Sequence, residues 1–216
     1  LGPYAEGAMD DFLKSGQPEL VSAKDYMDWV KDALHPDIWK DVERIYGPPP
    51  GDYLSIKKDT TESFIALPRV QYGNVVLLPQ LLPGLGDDAG ALVHGAKSAP
   101  PHPYIAEYLW IRYGFKADAL IHFGTHGSLE FSPWKQTGLC HLDWPDALVG
   151  DLPHPYVYVV NNIGEAVIAK RRSYAVIISH LTQPFTESET YGSMKSLKDA
   201  FGAWSQSTDG SIREQY

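Results

Sequence analysis

The chain has 216 residues, of which 44% are hydrophobic and 21% charged, which is enough to bury a core in one or two domains. Its net charge of −9 argues against a protein that binds the nucleic-acid backbone, and no apolar run is long enough to span a bilayer. The single Cys140 excludes an intrachain disulfide and favours a reducing, cytoplasmic compartment. Because the chain begins at Leu1, we expect it to be a segment of a longer protein.

The first 47 residues are predicted to be helical. Ser22 followed by Asp25 approximates a capping box, and the apolar residues after it recur at helical spacing. A second helix is expected to end at Gly47, before the proline-rich run 48–51. We therefore expect a helical segment over residues 1–47 and a linker over 48–62.

Strands alternate with helices from about residue 63 onward, which is typical of an α/β fold. Short apolar runs at 63–67 and 74–78 read as strands, whereas a long helix is predicted over roughly 164–180 and a final helix over 193–204. The predicted α/β segment covers 63–204 and is followed by a polar tail, 205–216.

A group of side chains that can transfer protons or bind metal follows a short apolar run at residues 119–121. His122, His126 and Glu130 come directly off the end of this predicted strand, where α/β proteins bind their ligands. We expect the three side chains to be catalytic residues and metal ligands, because imidazole and carboxylate groups both move protons and bind divalent ions. Two histidines four apart also occur in zinc peptidases, but the intervening glycine here fits a loop better than a helix.

Further polar residues are predicted to bind the ligand. Lys135 and Gln136 either bind an acidic substituent or lie on a helix surface, and His102 directly precedes a predicted helix. A second group follows another predicted strand and comprises Asn161, Asn162 and Glu165. The asparagines are equally compatible with helix capping.

Aromatic residues are abundant, with six tryptophans and thirteen tyrosines. They are compatible with large core side chains or with a site for a flat conjugated ligand, which aromatic faces stack on.

Several distinctive motifs follow one another along the chain: GNV (73–75), APPH (99–102), HFGTHGSLEF (122–131), PWKQ (133–136), DWPD (143–146), GDLP (150–153), NNIGE (161–165) and AKRRSY (169–174). Together they resemble the large subunit of the cobaltochelatase and magnesium chelatase family. The resemblance covers roughly residues 65–195 well and the first 60 loosely.

This resemblance implies a tetrapyrrole substrate whose central metal is exchanged. The metal would be a divalent ion (cobalt, magnesium or iron), and ATP would be used only by partner ATPase subunits, in agreement with the absence of a Walker lysine motif from the sequence. The family's large subunit is much longer, so this chain would act with the remainder of a larger parent subunit. Family size favours cobalt insertion into a corrinoid ring, and a non-catalytic tetrapyrrole-binding module is a further alternative.

One position departs from the family pattern. The family usually has glycine where this chain has Trp134, which is expected to alter the backbone or to fill part of the pocket. The sequences VVLLPQ (75–80) and GLGDD (84–88) are more similar to a haem-uptake branch of the family, which removes iron from haem. For a protein of that branch, a membrane-associated or cell-envelope location is the alternative to the cytoplasm. Insertion of magnesium into protoporphyrin is the remaining option.

Overall fold

The computed structural model describes residues 11, 16–57, 62–83, 99–124, 126–158, 162–179, 190–206 and 210. The chain forms two compact units, residues 1–180 and 181–216.

Helices and strands are mixed along the described chain, as the predicted α/β class requires. The strands are β1 (Glu19–Ser22), β2 (Ser55–Lys57), β3 (Ser63–Leu67), β4 (Val70–Tyr72), β5 (Val75–Leu77), β6 (His122–Phe123), β7 (Pro155–Val157) and β8 (Val176–Ile178). The α-helices are α1 (Ala23–Ala33), α2 (Pro36–Tyr46), α3 (His102–Leu109), α4 (Trp144–Val149), α5 (Ile163–Arg172) and α6 (Ser193–Gln206).

The first sheet is antiparallel, with the strand order β1-β3-β2. Strand β1 lies within the predicted helical segment and was not anticipated, because four residues are too few to show a clear alternation of apolar and polar side chains. The predicted division of the chain near residue 47 stays a prediction. Helices α1, α2 and α3 share one apolar core with β3, to which Tyr26, Val42 and Ile65 contribute fully buried side chains.

The ends of the early helices follow the sequence signals. Ser22 is the N-cap of α1, and its hydroxyl accepts a hydrogen bond from the backbone N–H of Asp25 at 3.0 Å, which confirms the predicted cap. His35 caps α2 in the same way, and that helix ends at Gly47 as predicted. The predicted final helix is confirmed as α6, which extends two residues beyond Trp204.

His102 is buried in the core shared by α1, α2 and α3. Its Nδ1 lies 3.2 Å from the Tyr26 hydroxyl and its Nε2 lies 3.0 Å from the Gly47 carbonyl oxygen. The rings of Tyr26, Trp39 and Tyr46 surround it. Both ring nitrogens are therefore engaged within the core, so this geometry does not favour the predicted ligand-binding role of His102.

The second three-stranded sheet is parallel, with the order β6-β7-β8. His122 pairs with Tyr156, and Tyr156 pairs with Ile177, so these three side chains lie on one face of the sheet. That face packs against α5 through Tyr156, Tyr158 and Ala169. The sheet therefore places the ends of β6 and β7 side by side near the start of α5.

The predicted helix over 164–180 is wrong in its second half. Helix α5 ends at Arg172, where the hydroxyl of Ser173 donates to the carbonyl oxygen of Ala169. Residues 176–178 then form β8, because a run of β-branched residues packs well in a parallel strand. Among the described residues, no helix is both long and apolar enough to cross a membrane.

We expect His102→Ala to lower the free energy of unfolding by about 3 kcal/mol, because it leaves a cavity and removes the hydrogen-bond partner of buried groups. Burial lowers the pKa of His102 from its usual 6.5, so the unfolded chain takes up this proton first and wild-type stability falls as the pH drops below 6.5. The stability difference between wild type and variant should therefore shrink at acid pH.

Urea unfolding followed by circular dichroism at several pH values measures this difference. His141→Ala, at an exposed position, is the matched control and should change stability by less than about 0.5 kcal/mol. A deficit that stays constant across the acid range would contradict the neutral, buried state of His102.

Candidate functional site

Glu165 lies at the centre of a polar cluster at the ends of β6 and β7. Its Oε2 accepts a hydrogen bond from the Tyr158 hydroxyl at 2.6 Å and lies 2.7 Å from Nδ1 of His126. These contacts lower the pKa of Glu165, the hydrogen bond from Tyr158 being the largest cause. The cluster therefore favours the ionised form of the Glu165 carboxylate, beside an imidazole that is exposed to solvent.

The start of α5 positions this carboxylate. Asn162 is the N-cap of the helix, and its Oδ1 accepts a hydrogen bond from the backbone N–H of Glu165 at 3.3 Å. A carboxylate in the first turn of a helix also interacts favourably with the helix dipole. Asn162 thus has the capping role that the sequence left open, whereas Asn161 lies outside the described residues.

Glu130 is the second carboxyl group of the site and is buried, with 1% of its surface exposed. It lies on a single helical turn, Leu129–Phe131, and its Oε1 accepts a hydrogen bond from the Tyr156 hydroxyl at 3.3 Å. Its Oε2 has no hydrogen-bond partner among the described residues. Burial raises the pKa of Glu130, and the charge of Glu165 raises it further, so this carboxyl group holds a proton more strongly than an exposed one.

Gly127 allows the close approach of these groups. A Cβ atom at this position would lie 2.6 Å from the Tyr156 hydroxyl and 2.8 Å from both carboxyl oxygens of Glu130. Only glycine fits at such distances without displacement of its neighbours. His126, just before it, adopts a left-handed backbone conformation with a φ of 56°. Uncommon backbone conformations of this kind are concentrated at functional sites.

The surroundings therefore shift the pKa values of the two carboxyl groups in opposite directions. The rings of Tyr156 and Tyr158 lie 5.2 Å apart, and each tyrosine donates its hydroxyl hydrogen to one of the carboxyl groups. Glu165 is favoured as the carboxylate and Glu130 as the acid. Paired carboxyl groups whose surroundings separate their pKa values are suited to accepting and donating protons in one reaction.

His122 is held by contacts on both ring nitrogens. Its Nδ1 lies 2.7 Å from Nε2 of His154, and its Nε2 lies 3.2 Å from the Tyr108 hydroxyl. Burial, with a smaller contribution from His154, lowers the pKa of His122 to about 3, so the ring is neutral. His154 in turn donates from Nδ1 to the carbonyl oxygen of Ser173 at 2.8 Å.

The predicted trio of His122, His126 and Glu130 is not assembled as a ready ligand set. Within the described ranges, no group of three or more histidine, cysteine, aspartate or glutamate side chains is arranged to hold a metal ion. His122 contacts Tyr108 and His154, His126 contacts Glu165, and Glu130 contacts Tyr156. The metal-binding and catalytic roles of the trio stay predictions.

Lys135 and Gln136 lie on a loop beyond Glu130. The backbone N–H groups of Lys135 and Cys140 both donate to the buried carboxylate of Asp143, which fixes the loop. Nζ of Lys135 lies 2.8 Å from Sγ of Cys140, and Gln136 is exposed. Both side chains are accessible, and their predicted ligand-binding roles stay predictions.

Trp134 adopts a backbone conformation that suits glycine. Its φ is 94°, in the region where side chains are disfavoured, and 46% of its surface is exposed. The expectation that the tryptophan alters the backbone or fills part of the pocket stays a prediction.

The sequence analysis missed four residues of the site, namely Tyr108, His154, Tyr156 and Tyr158. Tyr156 and Tyr158 lie within the predicted strand that precedes Asn161, but nothing local distinguishes them from ordinary core residues. Only the alternation along β7, which places both on the face toward α5, would have indicated their shared orientation.

Comparison with known proteins relates the whole chain to one family. The family described as CobN/Magnesium Chelatase matches residues 4–215. A magnesium-chelatase subunit of Rhodobacter capsulatus is 44% identical over 187 residues, which is 87% of this chain and 15% of that protein. Aerobic cobaltochelatase subunit CobN of Pseudomonas aeruginosa is 45% identical over 129 residues, covering 60% of this chain and 10% of that protein.

A solved structure agrees with these sequence relatives. The catalytic subunit of cobaltochelatase from Mycobacterium tuberculosis superimposes with a TM-score of 0.74 and 34% identity, over 96% of this chain and 19% of that one. The chain thus spans less than a fifth of the length of each of these relatives. On the extent of these matches, the chain belongs to the CobN/Magnesium Chelatase family.

Proposed function

We propose that this chain is a segment of a chelatase-type large subunit that binds a tetrapyrrole and exchanges its central metal. The observation that carries the proposal is the pair of carboxyl groups that accept hydrogen bonds from two neighbouring tyrosines, Tyr156 and Tyr158, in surroundings that shift their pKa values in opposite directions. Glu165 is kept ionised by Tyr158 and His126, whereas burial favours the protonated form of Glu130. Both lie at the carboxyl ends of neighbouring parallel strands, where α/β proteins bind ligands.

The chemistry of metal insertion matches these groups. The ring must lose two pyrrole N–H protons, and the divalent ion must lose water ligands. A carboxyl group with a raised pKa, such as Glu130, is a strong base once it is ionised, so it suits the removal of a ring proton. The Glu165 carboxylate and the His126 imidazole suit the metal, because each offers a donor atom that divalent ions accept.

A site that transfers a metal benefits from an incomplete ligand set. Metal sites that react keep open coordination positions, and magnesium commonly keeps several waters beside one or two carboxylates. His126 and Glu165 would supply two ligands and leave the other positions for water and then for the ring nitrogens. This arrangement is compatible with the described residues, which contain no closed ligand cage.

Cobalt insertion into a corrinoid ring is the specific reaction we put first, with magnesium insertion as the alternative. Relatives named for each metal are similar to this chain to nearly the same degree. ATP would be used by partner ATPase subunits, and the remainder of a longer subunit would complete the substrate site.

Removal of iron from haem is a second candidate, favoured by the burial of Glu130, which raises its pKa. The reverse reaction must deliver protons to the ring nitrogens as the metal leaves, and a buried acid beside a tyrosine hydroxyl is suited to donate one. The same carboxyl group thus serves both metal insertion and metal removal. The substrate supplied, a metal-free ring with a metal ion or a metallated ring, decides the direction.

We expect Glu130→Gln to slow metal exchange by about a hundredfold or more, because an amide neither accepts nor donates the proton, while ring binding is retained. Absorbance spectroscopy of the ring follows both properties after addition of Co²⁺ or Mg²⁺. Glu62→Gln, at an exposed position, is the matched control. Unchanged exchange in the Glu130 variant would contradict the assignment of Glu130 as the group that transfers the ring proton.

We expect Glu165→Gln and His126→Ala each to weaken the binding of Co²⁺ by about tenfold or more, because each removes one of two proposed ligands. Isothermal titration calorimetry with the metal alone measures this affinity. Equal affinity in wild type and both variants would exclude the pair as the metal-handling site, whatever the result for Glu130.

We expect Gly127→Ala to impair exchange while leaving Co²⁺ affinity nearly unchanged. The added methyl group would displace the Tyr156 hydroxyl and the Glu130 carboxyl group, whose oxygens are the three atoms nearest to it. Exchange and metal titrations on the same preparation separate the two effects. A variant with normal exchange would show that the close contact between Tyr156 and Glu130 is not required.

A further inference from the structure

His122 and His154 form a hydrogen-bonded pair at the parallel sheet. His122 begins β6 and His154 directly precedes β7, and Nδ1 of His122 lies 2.7 Å from Nε2 of His154. Burial lowers the pKa of both rings, so both are neutral at pH 7. A hydrogen bond between two neutral imidazoles needs one ring nitrogen with a hydrogen and one without. The positions of the hydrogens therefore decide what the pair presents to its surroundings.

A backbone carbonyl group fixes the hydrogen of His154. Nδ1 of this ring, which is 3% exposed, lies 2.8 Å from the carbonyl oxygen of Ser173. A carbonyl oxygen only accepts hydrogen bonds, so Nδ1 carries the single N–H group of the neutral ring and Nε2 carries none. Nδ1 of His122 must then donate to Nε2 of His154. This leaves Nε2 of His122 without a hydrogen.

The unprotonated nitrogen of His122 lies on the side of a cavity. The cavity has a volume of about 800 Å³, and the β4–β5 hairpin, α3 and the segment leading into β6 form its walls. His122 lines it, and so does Tyr108, whose hydroxyl lies 3.2 Å from Nε2 of His122. Among the described residues, His154 is not part of the lining. The two nitrogens of His122 therefore face different surroundings, with Nε2 on the cavity side.

Tyr108 leaves this nitrogen able to accept a hydrogen bond from another donor. A tyrosine hydroxyl has one hydrogen, and Oε1 of Gln80 accepts it at 3.0 Å. While the hydrogen is directed to Gln80, none lies between the Tyr108 oxygen and Nε2 of His122. The lone pair of His122 is then available to a donor that enters the cavity.

We propose that His154 is a positioning residue, which holds His122 in the tautomer with its hydrogen on Nδ1 and so directs an unprotonated Nε2 toward the cavity. In a histidine, the hydrogen bond made by one ring nitrogen decides which tautomer is present. The cavity wall thus accepts a hydrogen bond at this point and cannot donate one. The use of this acceptor rests on the proposed function. Metal insertion draws hydrogen from ring N–H groups, which an accepting nitrogen assists and an N–H group would oppose.

The tautomer is tested directly by NMR of the 216-residue chain labelled with ¹⁵N-histidine. Long-range ¹H–¹⁵N correlations at neutral pH distinguish ring nitrogens that carry a hydrogen from those that do not. The spectrum of His122→Gln lacks the signals of this ring and so assigns them. In the wild-type chain we expect a hydrogen on Nδ1 of His122 and none on Nε2. A hydrogen on Nε2 would overturn the inference.

Two substitutions of His154 test whether it sets the tautomer. His154→Leu should move the hydrogen of His122 to Nε2, because leucine accepts nothing at Nδ1 whereas the Tyr108 oxygen can accept at Nε2. His154→Gln should retain the wild-type tautomer. The carbonyl oxygen of Ser173 attracts the amide nitrogen of the glutamine, which leaves Oε1 to accept from His122. An unchanged tautomer in His154→Leu would show that His154 does not set it.

Metal-exchange assays on the same variants test the use of the acceptor. His154→Leu should slow exchange about tenfold, the lower end of the usual effect of removing a group that orients a functional histidine. His154→Gln should restore most of the wild-type rate, and His141→Gln, at an exposed position, is the matched control. Normal exchange in His154→Leu, with the tautomer changed, would overturn the role of His154 in the reaction. Absence of exchange in the wild-type chain would instead reject the proposed function, while the NMR result still decides the tautomer.

Discussion

The parallel register of β6, β7 and β8 is the constraint on which the candidate site depends. It places Tyr156 beside His122 and directs both toward α5, so that the tyrosine reaches Glu130. A slip of one residue would turn Tyr156 to the opposite face and remove the partner of that buried carboxyl group. The short strands thus matter less for their own stability than for the side chains that they bring to one edge.

Two different physical effects separate the pKa values of the two carboxyl groups. Burial acts on Glu130 and favours its protonated form, whereas hydrogen bonds from Tyr158 and His126 act on Glu165 and favour its ionised form. Glu130 is therefore suited to proton exchange and Glu165 to binding a cation. Because one carboxyl group is bonded to Tyr156 on β7 and the other to Tyr158 directly after that strand, the same stretch of chain positions both.

Local sequence signals predicted the parts of the structure that depend on neighbouring residues. The cap at Ser22, the end of α2 at Gly47 and the α/β class all follow from such signals. Partners from distant strands could not be predicted this way, since the contact of His154 with His122 depends on the pairing of β6 with β7. For the same reason, the sequence did not show that His102 is enclosed by α1 and α2 or that residues 176–178 leave the helix to join a sheet.

The most direct test of this account is a measurement of the pKa values of the two carboxyl groups by NMR titration of carboxyl-labelled glutamate, with Glu130→Gln and Glu165→Gln used for assignment. The account predicts that Glu130 titrates above the usual value of 4.5 and Glu165 below it. Titration of both groups together near 4.5 would contradict the division of roles on which the proposed metal exchange is based.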